Sequence, residues 1–84
     1  MKPRLQITWT DARDHPKTWV DEQEAEQFGT EDCEIISVGY LVRKTTRCYV
    51  LAGDWNQADK DYGRVTKIPL GMVKDVLELV VKPS

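Results

Sequence analysis

The sequence predicts a single domain of the α+β class that is mostly β: a small, strongly bent antiparallel sheet or barrel of about five strands, with one short helix in its N-terminal half. Three observations lead there. Apolar residues recur with a period of two in several short stretches separated by polar or Gly/Pro punctuation. Gly39 interrupts the most apolar of these stretches at its middle. Residues 19–28 combine good helix formers with carboxylates near the start and a glycine just after the end.

A chain of 84 residues has room for one hydrophobic core, so residues 1–84 are read as one domain, burying roughly 60 to 65 % of the surface its unfolded form exposes. With 40 % apolar and 31 % charged residues, the composition is that of an ordinary water-soluble protein. No apolar run approaches the ~20 residues of a membrane span. The N-terminal stretch "MKPRLQITWT" lacks the apolar core of a secretion signal, and the expected location is cytoplasmic. Cys33 and Cys48 are too few and too far apart for a disulfide framework or a zinc site, and His15 is the only histidine. No metal or cofactor is expected.

The elements follow in chain order. "RLQITW" alternates Leu5, Ile7 and Trp9 with Arg4, Gln6 and Thr8, the pattern of a strand with one wet face. "TDARDHPKTW" is polar and contains Pro16, so it reads as a loop. The helix of residues 19–28 is expected to turn Trp19, Ala25 and Phe28 inward, with Gly29 as its stop. From Cys33 the chain turns β-branched and aromatic: Ile36, Val38, Tyr40 and Val42 share one face of a strand, with Ile35 and Leu41 on the other. Gly39 marks an expected bend or bulge in it. "RKTTRC" reads as a turn, "CYVLAG" as the returning strand, "DWNQADKDYG" as a loop and "RVTKIPL" as a further strand. Residues 72–81 fit two patterns: Val73, Val76, Leu77 and Val80 at helical spacing, or Val73, Leu77, Leu79 and Val81 on one side of a strand. The valines favour the strand. The expected core comprises Ile7, Ile36, Val38, Val42, Val50, Ile68 and Val76, so that Val38→Asp should unfold the protein.

"VGYLVRKTTRCYVLAG" followed by "VTKIPLGMVKDVLEL" resembles the body of an Sm-like or Src-homology-3-type small β-barrel. In those folds a bent strand pairs with the next, and a short turn interrupts the chain before the strand that closes the barrel. The likeness covers roughly residues 34–81 and is strongest over "IPLGMVKDVLEL". No motif corresponds to the uridine-binding Asp and Asn of the Sm family, so the resemblance implies fold and not ligand. More loosely, the whole chain resembles small proteins encoded in phage and prophage genomes.

Charge is distributed in blocks. Asp21, Glu22, Glu24, Glu26, Glu31, Asp32 and Glu34 place seven carboxylates in fourteen residues without a Lys or Arg, although the net charge is only −2. These carboxylates lack the order of a calcium loop, and a solvated helix face is the expected reading. The chain has no glycine-rich phosphate loop, nucleophile elbow or His-Glu-x-x-His motif. Its best catalytic candidate, His15 beside Asp11 and Asp14, reads as an exposed imidazole in a polar loop. A non-enzyme is expected.

The remaining candidates are for binding. Arg43, Lys44 and Arg47 cluster at a hairpin turn; Trp55 and Tyr62 bracket a polar loop, with Arg64 and Lys67 just beyond. Aromatic planes beside cations suit a nucleotide-like or nucleic-acid ligand, but only if strong curvature brings the turn and the aromatics together. The expected function is therefore a small binding protein, an oligomeric accessory or anti-defence factor that captures such a ligand or a host protein. The alternative is a structural or assembly subunit. Self-association is expected because a small barrel leaves edges that can pair with another copy and "MVKDVLELVV" is long, apolar and near the chain end.

Overall fold

Residues 2–31 and 33–80 are described by the computed structural model. They form β1 (Arg4–Thr10), α1 (Glu22–Gly29), β2 (Glu34–Lys44), β3 (Cys48–Asn56), β4 (Asp61–Pro69), a single 3-10 turn (Leu70–Met72) and β5 (Val73–Leu79). The strands make one antiparallel sheet in the order β4-β3-β2-β1-β5. No pairing joins β4 to β5, so the expected mostly β architecture is present as an open, bent sheet and not as a closed barrel. Among these residues, no helix is long and apolar enough to cross a membrane.

The organising strand is β2. Its N-terminal part pairs with β1 from Glu34 to Tyr40, and its C-terminal part pairs with β3 from Tyr40 to Lys44. Tyr40 pairs with both neighbours, and at Gly39 just before it a Cβ would lie 2.7 Å from the Ala52 carbonyl oxygen. The backbone of β3 thus passes over the spot where any other residue would carry a side chain. The irregularity expected at Gly39 is found two residues on, as a bulge between Leu41 and Arg43.

Leu5, Ile7, Leu51 and Ile68 form the buried core, with Trp9, Leu41, Tyr49, Val73 and Val76 packed around it. Ile7 and Ile68 are fully buried, while Val42, Val50 and Val76 are partly so. Two of the expected core residues lie on the opposite face: Ile36 is 61 % and Val38 58 % exposed. The register explains the correction. Leu5, Ile7 and Trp9 sit beside Gly39, Ser37 and Ile35, so the odd-numbered residues of β2 face the core. Small Ser37 and Gly39 are accommodated there because neighbouring strands supply the bulk, and the Trp9 indole Nε1 donates to Ser37 Oγ at 3.0 Å.

Asp21 caps α1, its carboxylate accepting from the Glu24 amide at 2.8 Å, so the helix begins later than the expected residue 19. Trp19 is 89 % exposed and Ala25 is exposed, contrary to the inward face assigned to them. Only Phe28 is partly covered, by the rim of His15 at 4.9 Å between ring centroids and by the Arg13 guanidinium. His15 is accordingly no idle surface imidazole: it is partly buried, and its Nδ1 accepts from the Lys17 amide at 3.0 Å.

The segment expected as a loop over residues 54–63 is mostly strand. Asp54, Trp55 and Asn56 pair with Gly63, Tyr62 and Asp61, leaving only Gln57–Lys60 as turn. Asn56 closes that turn through its amide to Asp59 at 3.0 Å, and Lys60 adopts φ 59°. Polarity misled here because a two-stranded ribbon in solvent needs no apolar alternation. The two patterns of residues 72–81 resolve to a 3-10 residue followed by strand, with a bulge that turns both Val73 and Val76 toward the core; Val81 lies outside the described residues.

Gly39→Ala is expected to destabilise the protein by about 1–3 kcal/mol, because the clash is with backbone that cannot rotate away. Thermal or urea unfolding measures this; unchanged stability would mean that β3 does not pass so close.

Candidate functional site

All the expected binding residues but Arg64 fall into two groups at opposite ends of β3. At one end, Arg43 and Lys44 close β2 and Arg47 lies in the turn to β3. Thr45 builds this turn: its Oγ1 accepts from the amides of Arg47 at 3.1 Å and Cys48 at 3.0 Å. The Arg47 carbonyl accepts from the Leu70 amide at 2.8 Å, tying the turn to the 3-10 segment. The bulge aligns Arg43 with Val50 and Lys44 with Tyr49, so the two cations leave opposite faces of the ribbon. Lys44 Nζ lies 5.5 Å from the Tyr49 ring centroid. Lys67 pairs with the same Val50 from the other side, which puts Arg43 and Lys67 in one cross-strand row. An open cleft of ≈ 600 Å³ beside Arg43, Lys44, Thr45, Thr46 and Leu70 is the concavity nearest this turn. These cations are exposed and not preorganised, so an anion would meet them through screened charge.

At the other end, Trp55 and Tyr62 are directly opposite each other on β3 and β4. Tyr40 packs edge to face on Trp55 with centroids 5.7 Å apart. Lys2 completes the cluster, its Nζ lying 5.8 Å from the Trp55 centroid and 5.3 Å from that of Tyr62. What brings Lys2 here is its neighbour: the Pro3 carbonyl accepts from the Leu41 amide at 2.8 Å, extending the chain beside β2 just before β1 begins. Sequence reasoning missed Lys2 and the ring contact of Tyr40. Spacing gives no sign of Lys2, whereas Tyr40 was placed only among the strand's apolar positions.

Arg64 belongs to neither group. It donates from Nε to Asp54 Oδ2 at 2.8 Å and from Nη2 to Oδ1 at 3.2 Å, a two-pronged pair lying across Gly53. Its backbone takes φ 51°, an uncommon conformation for a residue with a side chain. The hydrogen bond from Arg64 holds the Asp54 carboxyl below its ordinary value, and the carboxylate raises the Arg64 value in return. Both side chains are well exposed, so the pair contributes little to stability.

The curvature needed to merge these groups into one nucleotide site is therefore not realised. Five residues of extended β3 between Val50 and Trp55 span about 16 Å, and the aromatic faces carry Lys2 rather than the cations of the turn. The acidic block is engaged locally: Asp21 in the cap, Glu24 with Lys17 at 2.8 Å, Glu31 with Arg13, and Glu34 with Lys74 at 3.0 Å. Asp32 lies outside the described residues. Among the described residues, no group of three or more His, Cys, Asp or Glu is placed to hold a metal ion.

No family model, curated protein or solved structure matches the chain.

The Asp54–Arg64 pair has a pH signature. Because Asp54 titrates lower in the folded chain than in the unfolded one, its contribution is present above the unfolded carboxylate range and is lost as pH falls through the folded value. Following Asp54 by NMR in the native protein and in Arg64→Ala should show its midpoint moving up to that of an ordinary aspartate. An unmoved midpoint would mean that Arg64 is not its partner in solution.

Proposed function

We propose that this is a non-enzymatic binding protein of the assembly type, acting through protein contact on the outer face of its sheet, and that its first partner is a second copy of itself. One observation carries this reading. On the face away from the core, β2 presents Ile36 and Val38, while β5 presents Leu77 at 49 % and Leu79 at 37 % exposure. Between them β1 contributes a polar strip of Arg4, Gln6 and Thr8. Apolar side chains in two parallel rows, left open on a sheet, mark a contact surface.

Surface area and charge favour a second copy as occupant. The chain exposes 6797 Å² for 9.7 kDa, against about 5,100 Å² for a compact monomer of that mass. Charge is separated along β2: the acidic helix precedes its first residue, and Arg43, Lys44 and Arg47 end it. A two-fold axis across the strands lays two copies face to face in opposite directions. It sets β2 over β2 and β5 over β5, apolar row on apolar row, and brings the acidic end of each copy toward the basic end of the other. The footprint of three strands, each about seven residues long, is only on the order of 330 Å² in projection. That is a small interface, so the association expected of it is weak and concentration-dependent.

The strand order, the bend in β2 and the 3-10 turn before β5 support reading the fold as an opened member of the Sm-like and Src-homology-3-type small barrels. Capture of a nucleotide or nucleic acid receives less support, because the turn cations and the aromatic pair stand apart.

Light scattering across micromolar concentrations should show a monomer–dimer equilibrium. Val38→Asp and Leu77→Asp should each abolish it while leaving circular dichroism and melting temperature nearly unchanged, since both side chains are exposed in the monomer. If the native protein stays monomeric at high micromolar concentration, the self-association reading fails; if Val38→Asp unfolds the chain, Val38 belongs to the core after all.

A further inference from the structure

We propose that Tyr40, Trp55 and Tyr62 form a recognition site for an alkylammonium group, such as the side chain of a lysine or methylated lysine in another polypeptide, and that Lys2 is its resident occupant in the free protein. Tyr40 continues the row of Ile36 and Val38 on β2, but the site rests on observations different from those behind the self-association reading.

The first is that a cation is already there. Lys2 Nζ lies within cation–π range of two rings at once, at 5.8 and 5.3 Å from their centroids. The second is that the rings are held in place by the fold. Trp55 and Tyr62 are fixed opposite each other by strand pairing, and Tyr40 buttresses Trp55 edge to face from β2. Their quadrupoles present negative potential to one location, and that location favours a cation over a phosphate. The third is the charge of the surrounding ribbon. Asp54, Asp59 and Asp61 are all on this hairpin. Of the cations on this hairpin, Arg64 is tied to Asp54, Lys60 is in the turn, and Lys67 is at the far end opposite Val50. A nucleotide phosphate would approach against this charge.

Lys2 acts as a tethered competitor. A tethered group is present at high effective concentration, so it outcompetes a free ammonium of equal intrinsic affinity. A methylated ammonium is less strongly hydrated and more readily transferred onto ring faces, which gives it the advantage needed to displace an unmodified lysine. The chemistry is reversible exchange of one cation for another on the same rings, with no covalent step.

The test uses the full chain and its Lys2→Ala and Lys2→Arg variants, titrated with tetramethylammonium, Nε-trimethyl-lysine, lysine and AMP while the side-chain NMR signals of Trp55 and Tyr62 are followed. NMR is needed because Trp9 and Trp19 would confuse total fluorescence. Lys2→Ala should bind the two methylated cations at least threefold more tightly than the native chain. Lys2→Arg should remain blocked, and Trp55→Ala in the Lys2→Ala background should bind neither. A heat melt of each variant checks that the fold is retained. Equal affinity in native and Lys2→Ala proteins, no movement of the Trp55 and Tyr62 signals, or AMP bound more tightly than the methylated cations would each overturn the proposal. Because none of these readouts depends on oligomeric state, its failure is distinguishable from failure of the self-association reading.

Discussion

The contact on which the rest of the architecture turns is the passage of the Ala52 carbonyl over Gly39, where an added Cβ would be 2.7 Å away. With it, β2 serves one partner with each half, and β3 and β4 are carried over the inner face to bury Leu51 and Ile68 against Leu5 and Ile7. A domain this small has little core to spare, and its buried aliphatics contribute about 1.5–3 kcal/mol each. The curvature that lets four of them meet is thus as important as their hydrophobicity.

Much of this was legible in the sequence, and the omissions have physical causes. The alternation of Leu5, Ile7 and Trp9 identified β1 and its inner face, because a strand with one polar side has only one way to face a core. Gly39 announced the bend for the reason just given. The two-sided strand β2 could not declare its inner face: Ile36 and Val38 are as apolar as Ile35 and Leu41, and the choice is made by pairing with β1. The ribbon of residues 54–63 was hidden because composition records burial, and strands that bury little look like loops. Of the binding residues, the turn cations were found by position, whereas Lys2 reaches the aromatics only through the pairing of Pro3 with Leu41, a tertiary fact.

Burial and charge divide the molecule in different directions. Across the sheet, an inner face with a Trp9–Ser37 hydrogen bond is set against an outer face of open aliphatic rows. Along β2, an acidic helix is set against a basic turn. The helix adds little to the core, having no buried residue of its own; Asp21 caps it, Glu24 pairs with Lys17, and Glu31 just beyond it pairs with Arg13. Its contribution is chiefly electrostatic. Such an axis of charge orients an approaching body before contact and matters more to encounter rate than to final affinity.

The part of β3 and β4 that lies beyond Ala52 has no third strand beside it: β2 pairs with β3 only as far as Tyr40. A two-stranded ribbon standing alone is marginal in water, so this tip is held by its aromatic contacts to Tyr40 and Lys2 and by the Arg64 clasp on Asp54. With no third strand and no residue of the buried core, such a ribbon is expected to open more readily than the strands around Ile7 and Ile68. Backbone amides between Asp54 and Gly63 are therefore expected to exchange with solvent faster than those of β1, which lie beside the buried core. A group that settled on the rings of Trp55 and Tyr62 would stabilise this ribbon and so slow exchange along the whole hairpin.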